Sequence, residues 1–312
     1  MRQIWFNGEI LDESEARLSI YDSALMFGDM VFEMLRTFNG KQFKLREHLE
    51  RLFRSAKYFQ IPMPFLCETV DQMEKHCLNL QEANEFEPDD EHRLMINVTR
   101  GTLPMYSDTG RVGSNVIISD FPLRWTTAGM GKLFEDGINA VTPSQRAIPA
   151  HLLDPKVKCR SRAHFMIANI QASRCRGENN WPLLLDDDGY VTEGTGANFF
   201  MHDLFSLFTP MGHNVLNGIS RNYILNYLEK VNEANISEYN VYNAKEAFFS
   251  ATPFCVLPVV SLNGQDIGDG DPGPVYKHLL ERWSEYVGVD IKGQIQAWDK
   301  GAKEGPSAYK FK

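Results

Sequence analysis

The chain has 312 residues, 43% of them hydrophobic, with 32 lysines and arginines against 41 aspartates and glutamates, a formal charge of −9 and a pI near 5.4. That length favours two domains around separate cores, and the acidic balance argues against a nucleic-acid backbone as partner. No apolar run approaches the roughly 18 to 20 residues of a membrane span, and five scattered cysteines without a C-x-x-C pair do not make a disulfide framework or a structural zinc site.

The first residues, Met1 to Gly8, lack the apolar core of a signal peptide and read as a strand entering a turn, so cytoplasmic residence is the expectation. Asn-Gly or Asp-Gly pairs between apolar runs mark hairpins at Asn7-Gly8, Asn39-Gly40, Asp188-Gly189 and Asn263-Gly264. From Leu45 to Phe59 the residues Leu45, Leu49, Leu52, Phe53 and Ala56 keep helical spacing, and Pro62 lies beyond the end. A second helix is expected over about Glu68 to Leu80, a solvated acidic loop over Glu82 to Glu91, and strands at Leu94 to Thr99 and Val116 to Ile118. Periodicity then breaks around Pro122, Gly129 and Gly131, which places the interdomain connection near 120 to 135.

In the second half, Arg162 to Arg174 has the pattern of a helix, with Lys158 just before it. Pro182 to Leu185 and Tyr190 to Glu193 form a hairpin whose second strand carries Glu193. After Gly218 the residues Ile219, Tyr223, Ile224, Tyr227, Leu228 and Val231 keep helical spacing, so Gly218 to Ser220 occupy a helix entrance where peptide N–H groups point outward. An amine at Lys158, a carboxylate at Glu193 and a glycine-led helix start are together what pyridoxal phosphate chemistry uses: a Schiff base, a partner for the pyridine nitrogen and a phosphate seat. The eight histidines show no metal-ligand spacing, and no metal is assigned.

Several stretches in a fixed order then carry a family likeness: Phe27-Gly28-Asp29-Met30-Val31-Phe32-Glu33, Arg46 to Leu52, Val98 to Gly101, Lys158, Glu193-Gly194 with Asn198, Gly218-Ile219-Ser220-Arg221, Phe249 to Thr252 and Pro272-Gly273-Pro274. Over nearly its whole length the chain resembles the class IV, or fold type IV, pyridoxal phosphate aminotransferases, the group of branched-chain and D-amino-acid aminotransferases. The resemblance implies an α+β fold of two domains: a small N-terminal α/β domain over 1–120, a loop over 121–135, and a larger cofactor-binding domain over 136–312 with a barrel-like β core. It also implies a homodimer.

By the same resemblance Lys158 is the lysine of the internal aldimine and Glu193, near Asn198, the partner of the pyridinium nitrogen. Arg51, Gly218, Ile219, Ser220 and Thr252 hold the phosphate. The implied reaction moves an amino group from a branched-chain-like or D-amino acid to a 2-oxo acid such as 2-oxoglutarate. A lyase of the aminodeoxychorismate type and an (R)-selective amine transaminase, the latter similar at Leu153 to Lys158, are the alternatives. Substrate contacts are expected from Arg93, and from Arg111 or Arg124 on loops. Phe27, Met30 and Phe32 supply either an apolar pocket or core. The tyrosine that branched-chain enzymes carry two residues before the counterpart of Arg93 is Glu91 here, and the Arg-x-His pair usual in D-amino-acid enzymes is missing from Leu103 to Asp108.

Overall fold

The computed structural model describes residues 1–109 and 112–299, and their contacts divide into two compact units. The first comprises Met1–Trp125 together with Val157–Arg162; the second comprises the rest. The segment around Lys158 thus belongs with the N-terminal unit, whereas the resemblance implied a second domain over 136–312.

In the first unit β1 (Gln3–Phe6), β2 (Glu9–Asp12), β3 (Met30–Met34), β6 (His92–Thr99) and β7 (Asn115–Pro122) form an antiparallel sheet in the order β2-β1-β7-β6-β3. A short helix α1 (Ser23–Phe27) precedes β3, and a small hairpin of β4 (Thr37–Phe38) and β5 (Lys41–Gln42) follows it. Helices α2 (Leu45–Tyr58) and α3 (Val70–Ala83) cover one face of the sheet. Their apolar stripes, with Leu49, Leu52, Met73, Cys77 and Leu80 fully buried, meet Val31, Leu94, Ile96, Val98, Val116 and Ile118 from alternate strand positions. Thr69 starts α3 with a capping box that includes Gln72.

The predicted turns are present: Asn7, Asn39 and Asn263 have φ of 51°, 50° and 52°, each followed by a glycine also at positive φ. Asparagine and glycine tolerate that region, which matches the twist of the joined strands.

Residues 157–162 add an edge to this sheet. Phe32 N–H donates to Lys158 O at 3.0 Å, Arg160 N–H donates to Met30 O at 2.9 Å, and Val31 bridges Cys159 antiparallel. Because strand residues alternate, Cys159 turns with Val31 toward the helix-covered face, whereas Lys158 and Arg160 share the other face with Met30, Phe32, Met95 and Asn97.

A helical turn α4 (Arg124–Thr127) and a second short helix α5 (Leu133–Asp136) follow β7. The second unit then contains β8 (Ile138–Val141), α6 (Ala163–Ser173), β9 (Asn180–Leu185), β10 (Val191–Gly194), β11 (Asn198–His202), β12 (Leu207–Pro210), α7 (Ile219–Tyr223), β13 (Val231–Ala234), α8 (Glu238–Tyr242), β14 (Glu246–Ala251), β15 (Cys255–Leu262), β16 (Gln265–Asp266), α9 (Pro274–Val287) and α10 (Ile291–Asp299). A π-helical turn, Ile224–Leu228, continues α7.

The strand order β10-β9-β8-β15-β14-β11, with β11 pairing back onto β10, closes a six-stranded barrel. Its pairings β8–β9 and β8–β15 are parallel and the other four are antiparallel, so the barrel is mixed. Leu183, Leu184, Phe199, Phe248, Phe249, Val256 and Leu257 are buried in this unit. Glu246 on β14 accepts the N–H groups of Val275 and Tyr276, each at 3.0 Å, and so places a carboxylate at the start of α9.

No helix among the described residues is long and apolar enough to cross a membrane. None of the groups of acidic, histidine and cysteine side chains among those residues could hold a metal ion.

Candidate active site

Lys158 is half-buried on the edge of the first unit's sheet. Its backbone N–H donates to Ser55 Oγ of α2 at 3.2 Å, and its Nζ lies 4.7 Å from the centre of the Phe32 ring. Phe32 is 2% exposed and faces Lys158 across the edge pairing, so it forms an apolar wall beside the amine. Phe27, by contrast, ends α1 at 64% exposure and lines no wall within this unit.

On the helix-covered face, Arg51 forks onto Glu33: Nε donates to Oε1 at 2.6 Å and Nη2 to Oε2 at 2.8 Å. His48 Nδ1 meets the same Oε2 at 2.7 Å. An ionised carboxylate only accepts, so Nδ1 carries the proton, and the buried Nε2 has no partner among the described residues. Burial alone would raise the Glu33 carboxyl, but the charge of Arg51, the His48 ring and their hydrogen bonds hold it well below the usual carboxylate range. Burial pushes His48 down, and the positive charges of Arg51 and Lys158 act in the same direction against the attraction of Glu33. A neutral histidine therefore braces a charged pair.

Among the other predicted cations, Arg93 is buried and donates from Nη1 to Leu35 O at 3.4 Å. Arg124 is held by Asp90 and by Asp89, the latter at 2.8 Å. Arg111 lies outside the described residues. The sequence reading passed over Arg160, whose guanidinium stacks 3.7 Å from the centre of the Phe32 ring. The signal was available in the alternation Lys158-Cys159-Arg160 once the segment is read as a strand rather than as a loop before a helix.

The second unit gathers Glu193, Asn198 and Gly218. Glu193 and Asn198 face each other where β10 pairs with β11, and Asn198 Nδ2 donates to Glu193 Oε2 at 2.9 Å and to Leu216 O at 3.0 Å. Leu216 N–H also donates to Glu193 Oε2, at 3.2 Å. The carboxylate is thereby fixed in direction at 9% exposure. A Cβ on Gly218 would sit 2.0 Å from Asn198 Oδ1, so only glycine lets the chain pass here.

Gly218 is the N-cap of α7, and the first-turn N–H groups of Ile219 and Ser220 have no acceptor earlier in the helix. Ile219 and Ser220 are buried at 8% and 4% exposure. Ser250, which pairs with Asn198 in the β11–β14 register, buries an Oγ that finds no hydrogen-bond partner among the described residues. Thr252 follows two residues later in the turn after β14. A rigid carboxylate, outward N–H groups and an orphaned hydroxyl on adjoining strands fit a ligand with a basic ring nitrogen and an anionic tail.

The profile of the family described as "Amino-transferase class IV" matches residues 30–262. The chain belongs to the class IV aminotransferases. It is 32% identical over 310 residues to a Methanocaldococcus jannaschii protein provisionally assigned as a branched-chain-amino-acid aminotransferase, covering 96% of this chain and 100% of that one. It is 28% identical over 284 residues to the D-alanine aminotransferase of Bacillus licheniformis, covering 89% of this chain and 94% of that protein. The crystal structure of the Escherichia coli branched-chain amino acid aminotransferase superposes with a TM-score of 0.81 at 27% identity, over 94% of this chain and 95% of that one. This class IV aminotransferase has the α+β, fold type IV architecture of those structures, and its cofactor is pyridoxal phosphate.

Proposed function

We propose that this class IV aminotransferase moves the amino group of a branched-chain-like or D-amino acid to a 2-oxo acid such as 2-oxoglutarate, with Lys158 Nζ as the covalent anchor of pyridoxal phosphate. The observation that carries the reading is a single family match across residues 30–262, which takes in Lys158, Glu193, Gly218 to Ser220 and Thr252 in order. Relatives named for branched-chain amino acids and for D-alanine both support an amino-acid donor.

Bound pyridoxal phosphate supplies a ring that withdraws electrons from the substrate α carbon. In this reading Glu193, aimed by Asn198 and Leu216, keeps the ring nitrogen protonated. The N–H groups of Ile219 and Ser220, the Thr252 hydroxyl and the Arg51 guanidinium receive the phosphate. Lys158 Nζ carries a proton off the α carbon and returns it, and Phe32 keeps water from that side. Arg93 is retained as a substrate contact acting through its position on β6. Five free cysteines, four of them buried, support residence in the cytoplasm. Leu18, Ile20, Leu25, Met26 and Phe27, close together in sequence, are all exposed in the first unit, which supports a homodimer.

Borohydride reduction followed by peptide mapping tests the anchor: the pyridoxyl group is expected on Lys158, and its recovery elsewhere overturns the reading. Bleaching of the cofactor's yellow band by a panel of L- and D-amino acids and amines then identifies the donor. Release of pyruvate from a chorismate-derived amine with no need for an oxo acid would favour the lyase.

A further inference from the structure

We infer that Arg160 is the receptor for a substrate carboxylate, a specificity residue standing beside the lysine that bears the cofactor. The inference rests on the reading of Lys158 as that lysine.

Lys158 and Arg160 flank Cys159, which bridges Val31 antiparallel, so they lie on one face of that sheet edge with α carbons roughly 6.5 to 7 Å apart. Both side chains approach the same ring, Lys158 Nζ at 4.7 Å and Arg160 at 3.7 Å from the centre of Phe32. An amino acid presents its carboxylate two bonds from its nitrogen. A substrate whose nitrogen is at Lys158 therefore holds that carboxylate within reach of the neighbouring guanidinium.

Arg160 is also prepared for such a ligand. Stacking on Phe32 fixes the plane of the guanidinium, and Asn97 Oδ1 accepts from Nε at 3.4 Å and Nη2 at 3.2 Å. Met95 Sδ, at 3.0 Å from Nη2, is the remaining side-chain acceptor. Among the described residues Nη1 has no acceptor and no carboxylate pairs with Arg160. Arg162 lies 5.3 Å from the same ring centre, so three cations collect around one aromatic side chain. Burial and the like charge of Arg162 pull the guanidinium down to about 10, a sign that the site is short of negative charge. A partly buried cation without a counter-ion is costly, and an arriving carboxylate relieves that cost by accepting from the N–H groups of Nη1.

The test compares wild type with R160Q and R160K, each as holoenzyme. Calorimetric titration with 4-methylpentanoate, a carboxylate that cannot react, is expected to show about 10- to 100-fold weaker binding in R160Q and about tenfold weaker in R160K. Alanine and glutamate, in whichever stereochemical series bleaches the wild-type cofactor, should lose kcat/KM by a similar factor. 1-Phenylethylamine, which has no carboxylate, should keep its bleaching rate within about twofold.

Loss with both amino acids assigns the α-carboxylate, and loss with glutamate alone assigns the side-chain carboxylate. Unchanged binding and kinetics in R160Q, or equal loss with the amine, overturns the inference. If R160Q does not fold, the same measurements on R160K decide. A wild-type protein without a pyridoxyl adduct at Lys158 would instead defeat the underlying function, so the two failures are distinguishable.

Discussion

Arg51 closes a two-bond fork on Glu33, at 2.6 and 2.8 Å, with the carboxylate wholly inside the protein. Removing one member of such a pair leaves the other charge buried alone. E33Q is therefore expected to destabilise the protein by about 3 to 5 kcal/mol, read from its chemical unfolding midpoint. The double replacement E33L/R51M, which removes both charges, should lose less stability than E33Q. An equal or larger loss would show that packing rather than charge pairing dominates there.

The same cluster sets an acid sensitivity in two stages. His48 is depressed in the folded state, so the unfolded chain binds a proton first and stability falls as pH drops below about 6.5. Glu33 is also depressed: its contribution is present above about 4.3 and is lost as pH falls further. Wild type should lose more stability between pH 7 and pH 5 than H48Q, whose side chain does not titrate. Parallel curves for the two proteins would contradict a buried neutral His48.

G218A forces a methyl group against the Asn198 side chain at 2.0 Å. Overpacking of this kind costs about 1 to 3 kcal/mol, and here the shift falls on the residue that orients Glu193. The expected result is weaker retention of pyridoxal phosphate on dialysis, seen as loss of its absorbance, before any loss of secondary structure. Wild-type retention would show that Asn198 yields without disturbing the carboxylate.

E246A removes the acceptor for the N–H groups of Val275 and Tyr276 at the start of α9. A loss of about 0.5 to 2 kcal/mol in thermal or chemical unfolding is expected, with transamination rates unchanged at temperatures where the variant is folded. No change in the unfolding midpoint would mean that water replaces the carboxylate fully.

Local rules made much of this fold legible. The stripe Leu45 to Ala56 fixed α2, the asparagine-glycine pairs located the hairpins, and Glu193 was placed on a strand. What escaped depends on contacts distant in sequence. Val157 to Arg162 reads as a loop because only an isolated bridge and two backbone hydrogen bonds to Met30 to Phe32, more than 120 positions away, lay it along the sheet edge. Arg160 escaped for the same reason, since its neighbour Phe32 is known only once that edge exists. The parallel pairings of β8 leave no turn signature in the residues beside it, and the fork between Glu33 and Arg51 needs the packing of α2 on β3. Lys158 and Glu193 are singled out by family motifs rather than by periodicity.

The barrel closes where Glu193 pairs with Asn198 and Gly194 N–H donates to Ala197 O at 2.8 Å, and that short seam is also where the acidic side chain is aimed. Few pairings close the hoop at this seam. Thermal breathing of the seam would then swing the carboxylate out of line while every helix stays intact, so the enzyme would fall silent well before it melts. Heating should accordingly extinguish turnover at a lower temperature than it erases the far-ultraviolet dichroism, and tightening the clasp would be the direct route to a hardier catalyst.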